Sequence, residues 1–196
     1  MGKGRLEAFS DGVVAILITI MVLELRAPEG DSVQALAPVL PVFGSYVLSF
    51  VYLGIYWTNH HHLLHATQKV SGGILWANLH LLFWLSLVPF ATRWMGESPL
   101  SSVPTAFYGV SLLMPALAWL ILQAAILRSQ GPESRLAKAI GRDLKGKASG
   151  TLYAAAIPLA FLRPWFADVI YVVVALIWLV PDRRIERLLK QAEASR

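Results

Sequence analysis

Arg5, Ser10 and Asp11 open the first long apolar stretch of this chain. A second such stretch closes on Trp57, Thr58, Asn59 and three consecutive histidines, His60 to His62. Ionisable groups at the edge of a hydrocarbon layer are costly and take partners there. Trp57 and His61 lie four positions apart and share a helical face, and a chain that crosses and returns brings them to the depth of Arg5 and Asp11. A hydrogen-bonded network of Arg5, Ser10, Asp11, Trp57 and His61 is the expected result. It has two readings: it positions the first helix as the wall of a pore, or it anchors that helix at the interface. Positioning is the favoured one. At about 100° per residue Asp11 projects about 140° away from Ile16, so if Ile16 faces a pore, Asp11 faces protein and is not an ion ligand. Ile16, Ile20 and Leu23 form one narrow stripe, with Gly12 below it and Thr19 on its flank.

The histidines offer a different chemistry. His60, His61, His62, His65 and His80 are the residue type that binds zinc readily. Three consecutive histidines point to different faces of a helix, however, no His-Glu-x-x-His occurs, and no nearby carboxylate suggests a general base. A His-rich metal-binding membrane protein or an enzyme therefore ranks behind a structural and interfacial role. The chain has no cysteine, which removes disulfides, thiolate ligands and thiol nucleophiles.

The elements that must hold these residues are membrane spans. Of 196 residues, 56% are hydrophobic and only 15% charged, which is too apolar for a soluble domain of this size. The net charge of +5 comes from Lys and Arg that fall between or after apolar runs rather than on one basic face, so nucleic acid is not an expected partner. Met1 to Arg26 has the outline of a signal peptide, with Lys3 and Arg5 before an apolar run. Glu7, Asp11 and the lack of a small-x-small cleavage site before Pro28 mark it instead as a mature helix.

A spanning helix needs roughly 20 mostly apolar residues. Breaks in hydrophobicity predict six spans, near 6–26, 34–58, 72–94, 104–128, 147–163 and 165–182. The fold class is thus an all-α integral membrane protein, with one domain over 1–182 and a basic tail over 183–196. The fifth span is short and carries Pro158. A re-entrant hairpin with the sixth is the alternative, although basic segments on both sides of the pair suit two crossings. Arg26, Arg93 and Arg163 fall on one side and the remaining Lys and Arg on the other, which places both termini in the cytoplasm. Between spans four and five, Leu136, Ile140 and Leu144 repeat every four residues in a basic segment, Ser134 to Lys147. This is either an amphipathic helix on anionic lipid headgroups or a solvated loop. Ile185, Leu188, Leu189 and Ala192 repeat the pattern in the tail and extend helix six into the cytoplasm.

The run Arg5-x-x-x-Phe9-Ser10-Asp11, followed by Gly12-Val13-x-Ala15-Ile16-x-x-Thr19 and Leu23-Glu24-Leu25, is similar to the signature of the transmembrane protein 175 family of potassium channels. The similarity continues through Trp57-x-x-x-His61 and from Asn78 to Pro89, and the six-helix plan covers nearly the whole chain. The resemblance implies a potassium-permeable cation channel of the bacterial cell membrane, built as a homotetramer of single six-helix units, with potassium as the permeant ion and no cofactor. It also accounts for the absence of a Thr-Val-Gly-Tyr-Gly filter loop. Ile16 matches the family's pore constriction, Ile20 and Leu23 continue the hydrophobic stripe, and Thr19 matches the pore-flanking threonine. Ala15 stands where some relatives have a hydroxyl. Arg5, Ser10, Asp11, Trp57 and His61 match the family's structural network, with Phe9 inside its motif.

A ring of four isoleucines offers no ligands to a hydrated cation, so it blocks by dewetting and conducts only when it widens. Thr19 hydroxyls, pore-facing carbonyls and partial dehydration then give a modest potassium preference. A secondary transporter is the rival reading. It ranks lower because neither inverted repeats nor a clear midplane acid is present. Glu24, Glu29 and Asp31 near the outer mouth are read as exposed surface charge before any role in attracting cations.

Overall fold

The structure, a computed structural model, describes residues 2–131, 134, 136 and 143–179. Among these, the regular elements are all helical. α1 (Lys3–Leu23) is capped at Glu24, and no regular element follows from Leu25 to Pro28. A 3-10 helix (Val33–Val39) leads into α2 (Leu40–His65), whose Pro41 sits in the first turn, where a missing N–H leaves nothing unpaired.

α2 starts later and ends later than hydropathy predicts. Pro38 and Pro41 hold the segment before Leu40 out of α geometry. At the other end Thr58 and Asn59 donate to the carbonyls of Gly54 and Ile55, and the helix runs on to its cap at Ala66. The histidines therefore stand on a helix rather than in a connection. Hydropathy marks where a membrane ends, not where a helix does.

The third predicted span is two helices, α3 (Gly72–Leu85) and α4 (Val88–Glu97). Pro89 has no N–H for the carbonyl of Leu85, and the Leu87 N–H turns to Trp84 in the tighter 3-10 pattern. α5 (Ser102–Gln130) continues through Pro115, and α6 (Leu144–Leu162), capped by Asp143, continues through Pro158. The interruption expected at Pro158 is thus absent, and residues 147–162 form one helix. Arg163 alone separates α6 from α7 (Pro164–Leu179).

Counting α3 and α4 as one broken element, six long helical elements are present among the described residues. Four of these stretches, Lys3–Leu23, Val33–His65, Gly72–Glu97 and Ser102–Gln130, are long and apolar enough to cross a membrane, and α7 is a shorter apolar helix. Leu136 is buried and Leu144 exposed. Ile140, between them, lies outside the described residues, as do the tail residues Ile185, Leu188, Leu189 and Ala192.

Two apolar clusters organise the packing. In the first, Leu6, Val14, Leu17 and Met21 of α1 join Leu81 and Leu85 of α3 and Leu122 and Ile126 of α5. The second gathers Tyr52, Tyr108, Tyr153 and Tyr171 with Ala156, Ala160 and Ala167 where α2, α5, α6 and α7 meet. Small residues permit the closest approaches, as in membrane bundles generally. A Cβ on Gly96 of α4 would lie 2.7 Å from the Cα of Val42, and one on Gly109 of α5 would collide with the hydroxyl of Tyr171.

Candidate functional site: the two faces of α1

α1 divides lengthwise. Leu6, Ser10, Val14, Leu17 and Met21 are buried against the rest of the subunit. The opposite side carries Phe9, Gly12, Ile16, Thr19, Ile20 and Leu23, all exposed in a single subunit. Ile16 keeps 59% of its surface exposed and Leu23 keeps 77%, in a continuous aliphatic stripe of the kind a soluble monomer rarely leaves uncovered. Thr19 donates its hydroxyl proton to the carbonyl of Ala15 at 2.9 Å. What its oxygen has left to offer is therefore lone pairs, the polarity a cation takes.

The packed side is fixed by a buried polar thread. Ser10 Oγ donates to the carbonyl of Leu6 at 2.9 Å, and it accepts from Asn78 Nδ2 of α3 at 2.9 Å. Asn78 Oδ1 meets His60 Nε2 of α2 at 2.6 Å. Since the Asn78 amide gives its hydrogen to Ser10, its oxygen accepts, so His60 Nε2 is the donor. Three helices are joined in one directed series, and every member is buried.

A second, more exposed contact lies one step around α1. Trp57 Nε1 donates to Asp11 Oδ1 at 3.0 Å. The Trp57 ring is tilted against His61 at 6.3 Å, and His61 stacks on His65 at 6.0 Å. Of the five residues expected to form one network, Asp11 and Trp57 are bonded to each other and Ser10 belongs to the separate buried thread. His61 contributes ring contacts, and Arg5 is exposed, its side chain without a hydrogen bond or ion pair among the described residues. Nearby, Lys3 Nζ bonds the carbonyl of His65 and sits 3.9 Å from Glu7.

Sequence reasoning left His60 and Asn78 out of the network. A signal was available for both. His60 lies seven residues after Leu53, on the α2 face that buries Ser49, Leu53, Leu63 and Leu64, whereas His61 falls outside it. Asn78 is a lone amide in an otherwise apolar run and has to find a partner there. Among the described residues no group of three or more His, Asp or Glu is arranged to hold a metal ion.

A family model described as the endosomal/lysosomal potassium channel TMEM175 matches residues 5–89, which include all but the first two residues of α1 and both polar contacts. A potassium channel of Chryseobacterium sp. (strain P1-3) is 55% identical over 191 residues, covering 97% of this chain and 100% of that protein. A potassium channel of Streptomyces collinus is 35% identical over 125 residues, covering 60% of this chain and 61% of that one. The crystal structure of a lysosomal potassium-selective channel TMEM175 homolog from Chamaesiphon minutus has a TM-score of 0.76 at 26% identity, covering 92% of this chain and 97% of that one.

Proposed function

The chain belongs to the TMEM175 family of potassium channels and is a potassium channel rather than an enzyme, and from that premise we propose that four copies surround an axis lined by α1, with Ile16 at its narrowest ring. The observation that carries this reading is the unpartnered aliphatic stripe of Ile16, Ile20 and Leu23, set on the side of α1 away from the buried thread. Four such stripes facing one another form a dry constriction. Water leaves a narrow aliphatic ring, and ions with it, so the closed state needs no plug and the open state needs only a wider ring.

From Phe9 to Leu23 no ionisable group lies on this face; Arg5, exposed one turn before Phe9, shares its angle at the end of the stripe. Asp11 is engaged sideways by Trp57, and Ser10 points into the subunit, so both orient α1 without meeting ions. Thr19 lies one turn above Ile16 and presents an oxygen whose proton is already used. This arrangement gives partial, modest selectivity for potassium rather than a rigid cage. Both termini lie in the cytoplasm of a bacterial cell, and the remaining exposed apolar surface meets lipid. Potassium is the permeant ion, and the conduction path contains no cofactor.

The test is native mass in detergent followed by flux from proteoliposomes under potassium, sodium and proton gradients. A tetramer whose potassium flux does not saturate in the manner of a carrier is expected. A monomer or dimer that conducts, or a flux that saturates at carrier rates, overturns the assembly or the channel mechanism respectively.

A further inference from the structure

At the end of the subunit that carries Glu24, remote from the α1 stripe, two polar atoms have nothing to bond. The chain has six threonines. Five of them, Thr19, Thr58, Thr67, Thr92 and Thr151, donate to the carbonyl four residues earlier. Thr105 does not. It is fully buried and its Oγ1 has no partner, although its backbone N–H reaches the Ser101 carbonyl at 3.1 Å. Asp168 Oδ1 is the second such atom, buried and without a donor in the second turn of α7.

Tyr171 ties the two together. It stands one turn beyond Asp168, donates its hydroxyl proton to the carbonyl of Thr105 at 3.1 Å, and lies over Gly109 of α5. Asp168 interacts electrostatically with Tyr171 and with Tyr108 of α5. The Asp168 and Tyr171 side of α7 thus faces the Thr105 and Gly109 side of α5.

The titratable groups around this contact are Tyr108 of α5, Tyr52 of α2, Tyr153 of α6, Tyr171 of α7 itself and Arg163 at the α6–α7 junction. The four phenols are buried, and Arg163 is exposed and makes no ion pair with Asp168 among the described residues. A carboxylate and a carboxylic acid can each share a hydrogen bond with Thr105. Only the carboxylate leaves a net charge against tyrosine rings with no cation to meet it, and an unpaired charge in such a place is relieved by taking up a proton.

We propose that Asp168 is a proton-binding site outside the conduction path, at which the acid form donates its O–H to Thr105 Oγ1 and closes the α5–α7 contact. The proton comes from water at that face of the membrane, and no other bond changes. Acidification there strengthens the contact, and alkalinisation weakens it, without any group of the α1 stripe changing state.

Thermal melting of the assembled channel between pH 5 and 9 tests this together with infrared spectroscopy. The wild type is expected to melt lower as pH rises, and D168N to lose at least half of that slope. A protonated-carboxyl stretch, shifted by isotopically labelled aspartate, is expected in the wild type at pH 5, absent in D168N and moved in frequency in T105V. If D168N does not assemble, the wild-type and T105V spectra decide. An identical pH slope in wild type and D168N, or no labelled carboxyl band in the folded wild type, overturns the proposal. Neither measurement requires flux, so a failure of the pore assignment and a failure of this site are separately visible.

Discussion

α1 and α7 both show an apolar face to the outside of the subunit, yet the two faces differ in kind. On α1 the face is narrow and aliphatic, holds a glycine and a threonine, and is backed by the directed series from His60 through Asn78 to Ser10. On α7 it is broad, runs from Trp165 and Phe166 through Val169, Val172, Val173 and Leu176, and has small or aromatic residues, Ala167, Tyr171 and Ala175, packed behind it. Apolar exposure alone therefore does not say what a helix meets. Buried polar bonds fix both helices, Asn78 to Ser10 behind α1 and Tyr171 to the Thr105 carbonyl behind α7, so fixed rotation does not separate them either. What separates them is the face itself: a narrow aliphatic stripe with a glycine and a threonine suits copies of the chain meeting around water and ions, and a broad face of large apolar side chains suits lipid.

The same substitution made on both faces tests the distinction most severely. Ile16→Asn is expected to raise flux through intact tetramers by about tenfold or more, equivalent to at least about 1.4 kcal/mol off the conduction barrier, and to weaken selectivity, because an amide holds water where isoleucine excludes it. Val172→Asn is expected to lower yield and leave flux per tetramer unchanged. Equal flux effects from the two variants in proteoliposomes would erase the distinction between the faces.

Asn78→Leu addresses the backing. It strips partners from His60 and Ser10 at buried positions, at a cost of about 1–3 kcal/mol for each group left unpaired. Melting temperature and tetramer yield are expected to fall, with the ion preference of surviving tetramers intact. A normal melt would mean the thread does not hold α1.

Gly109→Ala is the counterpart on the α7 side. Its methyl would meet the Tyr171 hydroxyl, so a loss of about 1–3 kcal/mol in stability is expected with unaltered flux. Unchanged melting would show that Tyr171 can step aside and that the α5–α7 contact is loose. The smallest effect is expected for Thr19→Val, a decrease in potassium over sodium preference within a factor of about three, or roughly 0.7 kcal/mol. It is read from reversal potentials in bilayers. A total loss of selectivity would promote Thr19 from flank to filter.

Most of the architecture was legible in the sequence because six apolar stretches separated by charge leave few alternatives. The first motif was legible too, since the angular offset between Asp11 and Ile16 separates a packed side from an outward one by helix geometry alone. Three features were not. α2 outruns its apolar stretch because helix formation continues through Thr58 and Asn59. The third span breaks because Pro89 removes a bond that hydropathy does not count. His61 was favoured over its neighbour because it shares a face with Trp57, whereas His60 is bonded to Asn78 of α3. The spacing from Leu53 puts His60 on the buried face, but its partner comes from another helix, and spacing within α2 does not say which residue that is.

The break between α3 and α4 makes the third element two levers on a common fulcrum at Ser86 and Leu87. The inner lever is pinned to α1 and α2 through Asn78. The outer one is pinned to the same two helices farther along, by Thr92 bonded to Ser49 of α2 at 2.6 Å and 3.9 Å from Met21 Sδ of α1, and by Gly96 seated against Val42 of α2. α1 leans on both. A bend at the fulcrum would swing Met21 with the outer lever while Ser10 stays with the inner one, so Leu23 would move farther than Ile16. Such a lever would open the outer mouth first and the Ile16 ring last.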